Sequence, residues 1–159
     1  MTVLCDEDIL KALEKNELGI EPFVQKNLTP NGYDLSVDEV FIRKNNVTIK
    51  DGTAVIPPLT WFAVSTKETV TMGPKITSQL WIRSSYARKG IIAGFGKVDA
   101  GFHGTLTIGC FNASDVPVDL PIGDRFCQIV FEFLSSHPKA LYEERSGNYQ
   151  NQHGVNLPH

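Results

Sequence analysis

The stretch PNGYDLSV, Pro30 to Val37, opens on an Asn-Gly turn signal and then alternates, with Tyr33, Leu35 and Val37 on one side of the chain. A period of two sends successive side chains to opposite faces, so this segment reads as a half-buried strand entered through a turn. Upstream the period is helical instead. Ile9, Leu10 and Leu13 recur at helical spacing, acids fill the first turn and Gly19 follows as a stop, which predicts one short helix over 6 to about 16. Downstream, strand-like runs fall at 39–43, 53–56, 61–70, 76–83, 91–93, 105–112, 116–120 and 126–134, separated by Pro, Gly, Asn and Asp. Many short strands without alternating helices predict a mostly β chain, a distorted jelly roll or small β-barrel with one N-terminal helix.

The 159 residues suit one domain, taken as 1–159, with a polar arm over about 139–159. That arm, rich in Gly, Asn and Gln, would be mobile alone and could close over a ligand. Hydrophobic residues at 42% and charged residues at 21% exclude a disordered chain. No apolar run approaches the roughly 20 residues needed to span a bilayer, and MTVLCDEDIL lacks a secretory signal's features. A cytoplasmic protein with no membrane partner is expected. Cys5, Cys110 and Cys127 have no metal-knuckle spacing and read as buried thiols. A net charge of -3 gives no general attraction to nucleic acid, yet the thirty residues between Glu68 and Asp99 hold five bases and no acid. A local anion site is conceivable there.

Several familiar catalysts are missing. AGFGK (Ala93 to Lys97) lacks the spacing of a phosphate-binding loop and reads as a strand-to-strand turn. His103, His137, His153 and His159 are scattered surface residues, without the motifs of zinc hydrolases or zinc-dependent base deaminases, and no GxSxG elbow occurs.

Four turn-like segments remain: PNGYDLSV from Pro30, RSSYARKG from Arg83, GKVDAGFHG from Gly96 and GDRFCQ from Gly123. Singly, each is an ordinary turn. Together and in this order they resemble the dUTPase and dCTP deaminase superfamily: its AGYDL, its GRSSLAR.G, its hairpin with an aspartate and an aromatic, and its GDR..Q. The resemblance runs from Pro30 to about Gly154. It implies a distorted jelly roll, a homotrimer and active sites between subunits.

Within that superfamily the deaminases carry a glutamate two residues before the aromatic that precedes Asn. In GTLTIGCFN (Gly104 to Asn112) that position is Gly109, which has no side chain to shuttle protons at a cytosine ring. The resemblance therefore implies a dUTP diphosphatase of the deaminase-related branch, with a dCTP deaminase or a catalytically silent nucleotide-binding module as alternatives. Asp99 stands at the water-orienting aspartate; a turn carboxylate is the plainer alternative. Arg83, Ser84 and Ser85 match the phosphate-binding triplet. Arg88 is a further candidate, with a solvated or interface arginine as the alternative. Phe102 takes the place of the aromatic against the deoxyribose, or is a core residue. Gln128 matches a phosphate-facing amide, or points to solvent. Uracil would be read largely by backbone groups of about 92–98.

The resemblance also implies Mg2+, bound mostly through phosphates and water. Asp34 either touches that water shell or holds a turn or pairs with Arg125. In the arm, Tyr142, Asn148 and Gln152 match a Tyr-Lys-Gln set that closes on the phosphates, with Asn148 in the lysine's place.

Overall fold

The structure is a computed structural model and describes residues 2–158. Its organising strand is Gly32–Ile42, eleven residues hydrogen-bonded along both edges. The first half pairs with Arg125–Phe133 and the second with Thr60–Thr66, both antiparallel. The register shifts between Val37 and Glu39, and opposite it between Arg125 and Cys127. Core-facing residues are Tyr33, Leu35 and Val37 before the shift and Val40 and Ile42 after it, all 2% exposed or less. Odd positions give way to even ones because one extra residue is inserted, a bulge that bends the strand from one half of the sheet into the other. The segments 33–37 and 39–43, separate runs in the sequence pattern, belong to one strand, Gly32–Ile42, with a change of phase.

The main sheet runs, in order, through Ile91–Gly94, Thr107–Asn112, Thr60–Thr66, Gly32–Ile42, Arg125–Phe133, Ile76–Ile82 and Lys97–Val98. A second sheet joins His103–Gly104, Thr69–Met72 and Leu18–Glu21, and Val118–Pro121 pairs with Thr53–Ile56. This is a mostly β, jelly-roll-like fold whose curled main sheet wraps a core containing Phe62, Ile108, Phe126, Ile129 and Phe131. The one longer helix is Asp6–Glu14, with Ile9 and Ala12 buried.

Elsewhere the structure amends the sequence expectations. The run 61–70 divides at Lys67 and Glu68 because the Ser36 carbonyl and amide draw this corner inward: Lys67 N–H donates to Ser36 O at 2.8 Å and Ser36 N–H donates to Glu68 Oε2 at 2.8 Å. RSSYARKG is not a plain loop but includes a short helix, Ser84–Ala87. Cys110 and Cys127 are buried as expected, whereas Cys5 is exposed. AGFGK connects two strands, as read. His159 lies outside the described residues.

Phe126 is 1% exposed and packs 5.2 Å from the Tyr86 ring. Phe126→Ala removes a large core group where the wall cannot fully collapse, so a loss of about 3–5 kcal/mol is expected. Denaturant unfolding monitored by tryptophan fluorescence checks it; an unshifted midpoint contradicts the packing described.

Candidate active site

Two groups of polar side chains emerge, and they lie at opposite ends of one strand. The first surrounds Asp34, which is 4% exposed. Arg83 Nε lies 3.1 Å and Arg125 Nη1 3.4 Å from its Oδ2, and Arg83 Nη1 donates to the Arg125 carbonyl at 3.1 Å. Of the two roles open for Asp34, the structure shows the ion pairing, extended to Arg83. Burial pushes the Asp34 carboxyl up, and the two guanidinium groups oppose that shift. Gln128 sits opposite Asp34 in register and donates to Thr29 Oγ1 at 2.9 Å. Ser84 and Ser85 are exposed in the first turn of the short helix, and Arg88 is exposed at its far end. Tyr86 fastens that helix to the barrel: its hydroxyl donates to Asp124 Oδ2 at 2.5 Å. The RSSY and GDR segments are thereby held together, and one carboxylate aims two arginines.

The second group surrounds Asp99, which is exposed immediately after Lys97–Val98. A turn closes when Phe102 N–H donates to Asp99 O at 3.1 Å, with Gly101 at φ +87 in its third position. A side chain at Gly101 would suffer both that dihedral and a contact of 2.7 Å with Leu141 Cβ. Asp99 enters no salt bridge among the described residues. Phe102 is 5% exposed and meets the Tyr142 ring edge-on at 5.5 Å. Both residues line a cleft of about 160 Å³ shared with Leu80, Tyr142, Tyr149 and Gln152. A second lobe of about 280 Å³ adjoins it through Thr107, Tyr149 and Gln152, and is walled by Trp61, Ala63, Gly109 and Leu157. At Gly109 an added Cβ would stand 3.5 Å from the Trp61 ring, an ordinary contact, so the position has room for a side chain and lacks one.

The arm does not hang free. It passes through a short helix, Tyr142–Arg145, and then runs beside 101–107. Gln150 takes the His103 amide and donates to Gly101 O, both at 3.0 Å. Asn151 N–H donates to His103 O at 2.7 Å, and Thr105 N–H to Gln152 O at 3.0 Å. Thr107 Oγ1 donates to Gly154 O at 3.2 Å and accepts from Asn156 N–H at 3.0 Å. Glu39 finishes the latch, accepting the Val155 amide and pairing with Lys50 at 2.9 Å. Tyr142 and Gln152 are thus brought to the cleft, while Asn148 is exposed and lines neither lobe. Sequence reasoning missed Glu39 and Gln150. For Glu39 the change of phase was a usable signal, because an acid beside a bulge in a paired strand needs a partner.

The two groups cannot meet within one chain. Lys97 and Val98 pair with Gln79 and Ser78, so Asp99 follows on beside Thr77, six residues along an extended strand from Arg83. At roughly 3.3 Å per residue this is about 20 Å, more than one triphosphate spans.

Comparison with known proteins bears on this arrangement. Residues 3–134 match the family model described as dCTP deaminase-like. The chain is 43% identical over 138 residues to a dCTP deaminase of Pyrococcus horikoshii, covering 86% of each. It is 33% identical over 157 residues to a protein of Sulfolobus islandicus rod-shaped virus 1 named "Probable deoxyuridine 5'-triphosphate nucleotidohydrolase", covering 98% of this chain and 97% of that one. The fold superposes on 2'-deoxycytidine 5'-triphosphate deaminase from Agrobacterium tumefaciens with a TM-score of 0.72 at 18% identity, over 83% of this chain and 48% of that longer one, about half its length. The fold is that of the dUTPase and dCTP deaminase superfamily. Within it, this chain belongs to the dCTP deaminase-like family.

The arm's latch has a defined pH sign. Burial alone would raise the Glu39 carboxyl, but the Val155 amide and the Lys50 ammonium outweigh it and hold it below the usual range. A depressed carboxyl stabilises the docked arm above its unfolded value of about 4.3, and that contribution fades as pH falls through the lower folded value. Glu39→Gln is expected to speed hydrogen exchange at the Val155 and Asn156 amides roughly 10-fold at pH 7, with core strands unaffected. Unchanged arm protection would show that the carboxylate does not hold it.

Proposed function

We propose that the chain is a single-domain, Mg2+-dependent dUTP diphosphatase, working in the cytoplasm as a homotrimer whose subunits share each site. The observation carrying this reading is Gly109: the cleft wall has space for a side chain at this position and glycine supplies none. Deamination at C4 of cytosine requires a positioned group to move protons between water and the ring. Hydrolysis at the α-phosphorus requires orientation of water and relief of phosphate charge.

The polar groups suit the second reaction. Asp99 orients a water and takes its proton as the oxygen bonds to the α-phosphorus; the bond to the bridging oxygen breaks, releasing dUMP and pyrophosphate. Phe102, packed by Tyr142, forms a flat wall for the deoxyribose beside Asp99. Arg83, Ser84, Ser85 and Gln128, with Arg88 flanking, grip the phosphates from a neighbouring copy, because within one chain Arg83 stands about 20 Å from Asp99. Tyr142, Asn148 and Gln152 close the arm over the nucleotide.

No three His, Cys, Asp or Glu side chains among the described residues gather as a metal site, and Asp34 Oδ2 is engaged by two arginines. This donor set fits an ion held through phosphate oxygens and water, with Asp34 no nearer than its outer shell. When bound, Mg2+ neutralises charge on the phosphates.

A second reading, dCTP deaminase with or without dUMP formation, is favoured by the names of relatives such as the Pyrococcus protein. It needs another residue to act where Gly109 stands. Incubating the protein with each deoxynucleoside triphosphate and Mg2+, then separating products by chromatography, distinguishes the two. Pyrophosphate and dUMP from dUTP, with no ammonia from dCTP, are expected; brisk ammonia release favours the second reading, and inertness toward every nucleotide favours a silent binding module.

Asp99→Asn is expected to lower turnover by at least about 10²-fold while dUTP still binds. Retained pyrophosphate release would reject its role. Mixing Asp99→Asn and Arg83→Ala chains through unfolding and refolding is expected to restore roughly a quarter of wild-type sites, the fraction in which each copy supplies its intact half. No restored activity would contradict shared sites.

A further inference from the structure

Asp99 also borders a third cleft, of about 370 Å³, between the hairpin and the root of the arm. Its charged lining consists of Asp99, Lys139 and Arg145. The backbone around Asp99 is pinned at each step: Thr77 Oγ1 donates to Val98 O at 3.1 Å, Phe102 N–H to Asp99 O at 3.1 Å and Tyr142 N–H to Ala100 O at 3.0 Å. The last of these bonds fastens the helix Tyr142–Arg145 to the hairpin by its first residue, so Arg145, three residues on, is carried beside the carboxylate.

Both cations of this cleft are exposed, and neither enters a salt bridge among the described residues. The acids nearest in sequence leave them open: Glu144 Oε2 accepts the Leu141 amide at 2.7 Å, and Glu143 lies outside the cleft. Lys97, on the Phe102 side of Asp99, stands 3.9 Å from Glu132 Oε2. Asn148 is neutral and lines none of the three clefts. The cleft therefore holds two positive charges against one negative, and its surplus attracts an anion.

We propose that Arg145 binds the α-phosphate of the nucleotide from the same chain as Asp99, with Lys139 adding to the local positive field. This deepens the diphosphatase reading and rests on it for the nucleotide. Asp99 and Tyr142 line both this cleft and the one that holds Phe102. A nucleotide whose deoxyribose lies on Phe102 thus brings its first phosphate to the boundary where Asp99 stands. There it meets a carboxylate of its own sign. A guanidinium forking onto two phosphate oxygens offsets that repulsion, and it meets the charge that gathers on them as water adds. The neighbouring copy's Arg83 group is then left to the outer phosphates.

Affinity across a series of shortened ligands tests this without recourse to turnover. Deoxyuridine, dUMP, dUDP and the α,β-imido analogue of dUTP are titrated into wild type and Arg145→Gln, the weak binders by competition against the imido analogue. Arg145→Gln is expected to leave deoxyuridine unchanged and to weaken the other three by a similar factor, roughly 10-fold, because the lost contact enters with the first phosphate. A loss that begins only at dUDP or the triphosphate would place Arg145 on an outer phosphate and overturn the assignment. A loss that grows with each phosphate would reduce Arg145 to a diffuse surface charge, and equal weakening of deoxyuridine would make it an anchor of the arm; each overturns the proposal, as does unchanged affinity throughout.

The two readings fail separately. The expected pattern in a chain that releases no pyrophosphate from dUTP would keep Arg145 on the α-phosphate and remove the diphosphatase reading alone. Pyrophosphate release by a chain whose ligand series is untouched by Arg145→Gln would remove the role of Arg145 alone.

Discussion

One inserted residue near Asp38 governs how the chain is arranged. The strand 32–42 is bonded along both edges, so its side chains are tied to an in-out alternation that only a bulge can shift. Before the shift the non-core face presents Asp34; after it, the same face presents Glu39. Asp34 gathers Arg83 and Arg125, and Glu39 gathers Lys50 and the arm. Without the extra residue, Glu39 would point into the core and Val40 outward. A single element thus supports the cation group with its first half and the cleft's cover with its second.

The geometry separates two kinds of work. Asp99 stands on a glycine-dependent turn at one end of Ile76–Ile82 and Arg83 follows the other end, a separation imposed by extended backbone. Side-chain motion cannot close that gap, but a neighbouring copy can. The apolar floor of the cleft, with Ala63 and Gly109 side by side in register and Trp61 beyond, offers a flat recess beside the hairpin and leaves recognition to few polar atoms.

The fold class was legible in the sequence because alternation, turn signals and the single helical stretch all pointed the same way. The four turn segments also stood out, since they combine charged and hydroxyl groups with turn chemistry. What could not be read was long-range. Nothing local in RSSYARKG announces that Tyr86 reaches Asp124, or that Asp34 is shared between two arginines 42 residues apart. The arm's docking was hidden for the same reason: its polar composition is that of a tail mobile when alone, yet its amides and glutamines find partners along 101–107, and Glu39 lies 116 residues from the amide it holds. Backbone hydrogen bonds to a distant edge leave no mark on composition.

The central claim is that one nucleotide is held by two copies of the chain, with Asp99 from one and Arg83 from another. A crystal structure with the α,β-imido analogue of dUTP tests it most directly. The account requires the α-phosphate beside Asp99, and Arg83, Ser84 and Gln128 of an adjacent copy on the remaining phosphates. A nucleotide gripped by a single chain, or one bound away from Asp99, would contradict it.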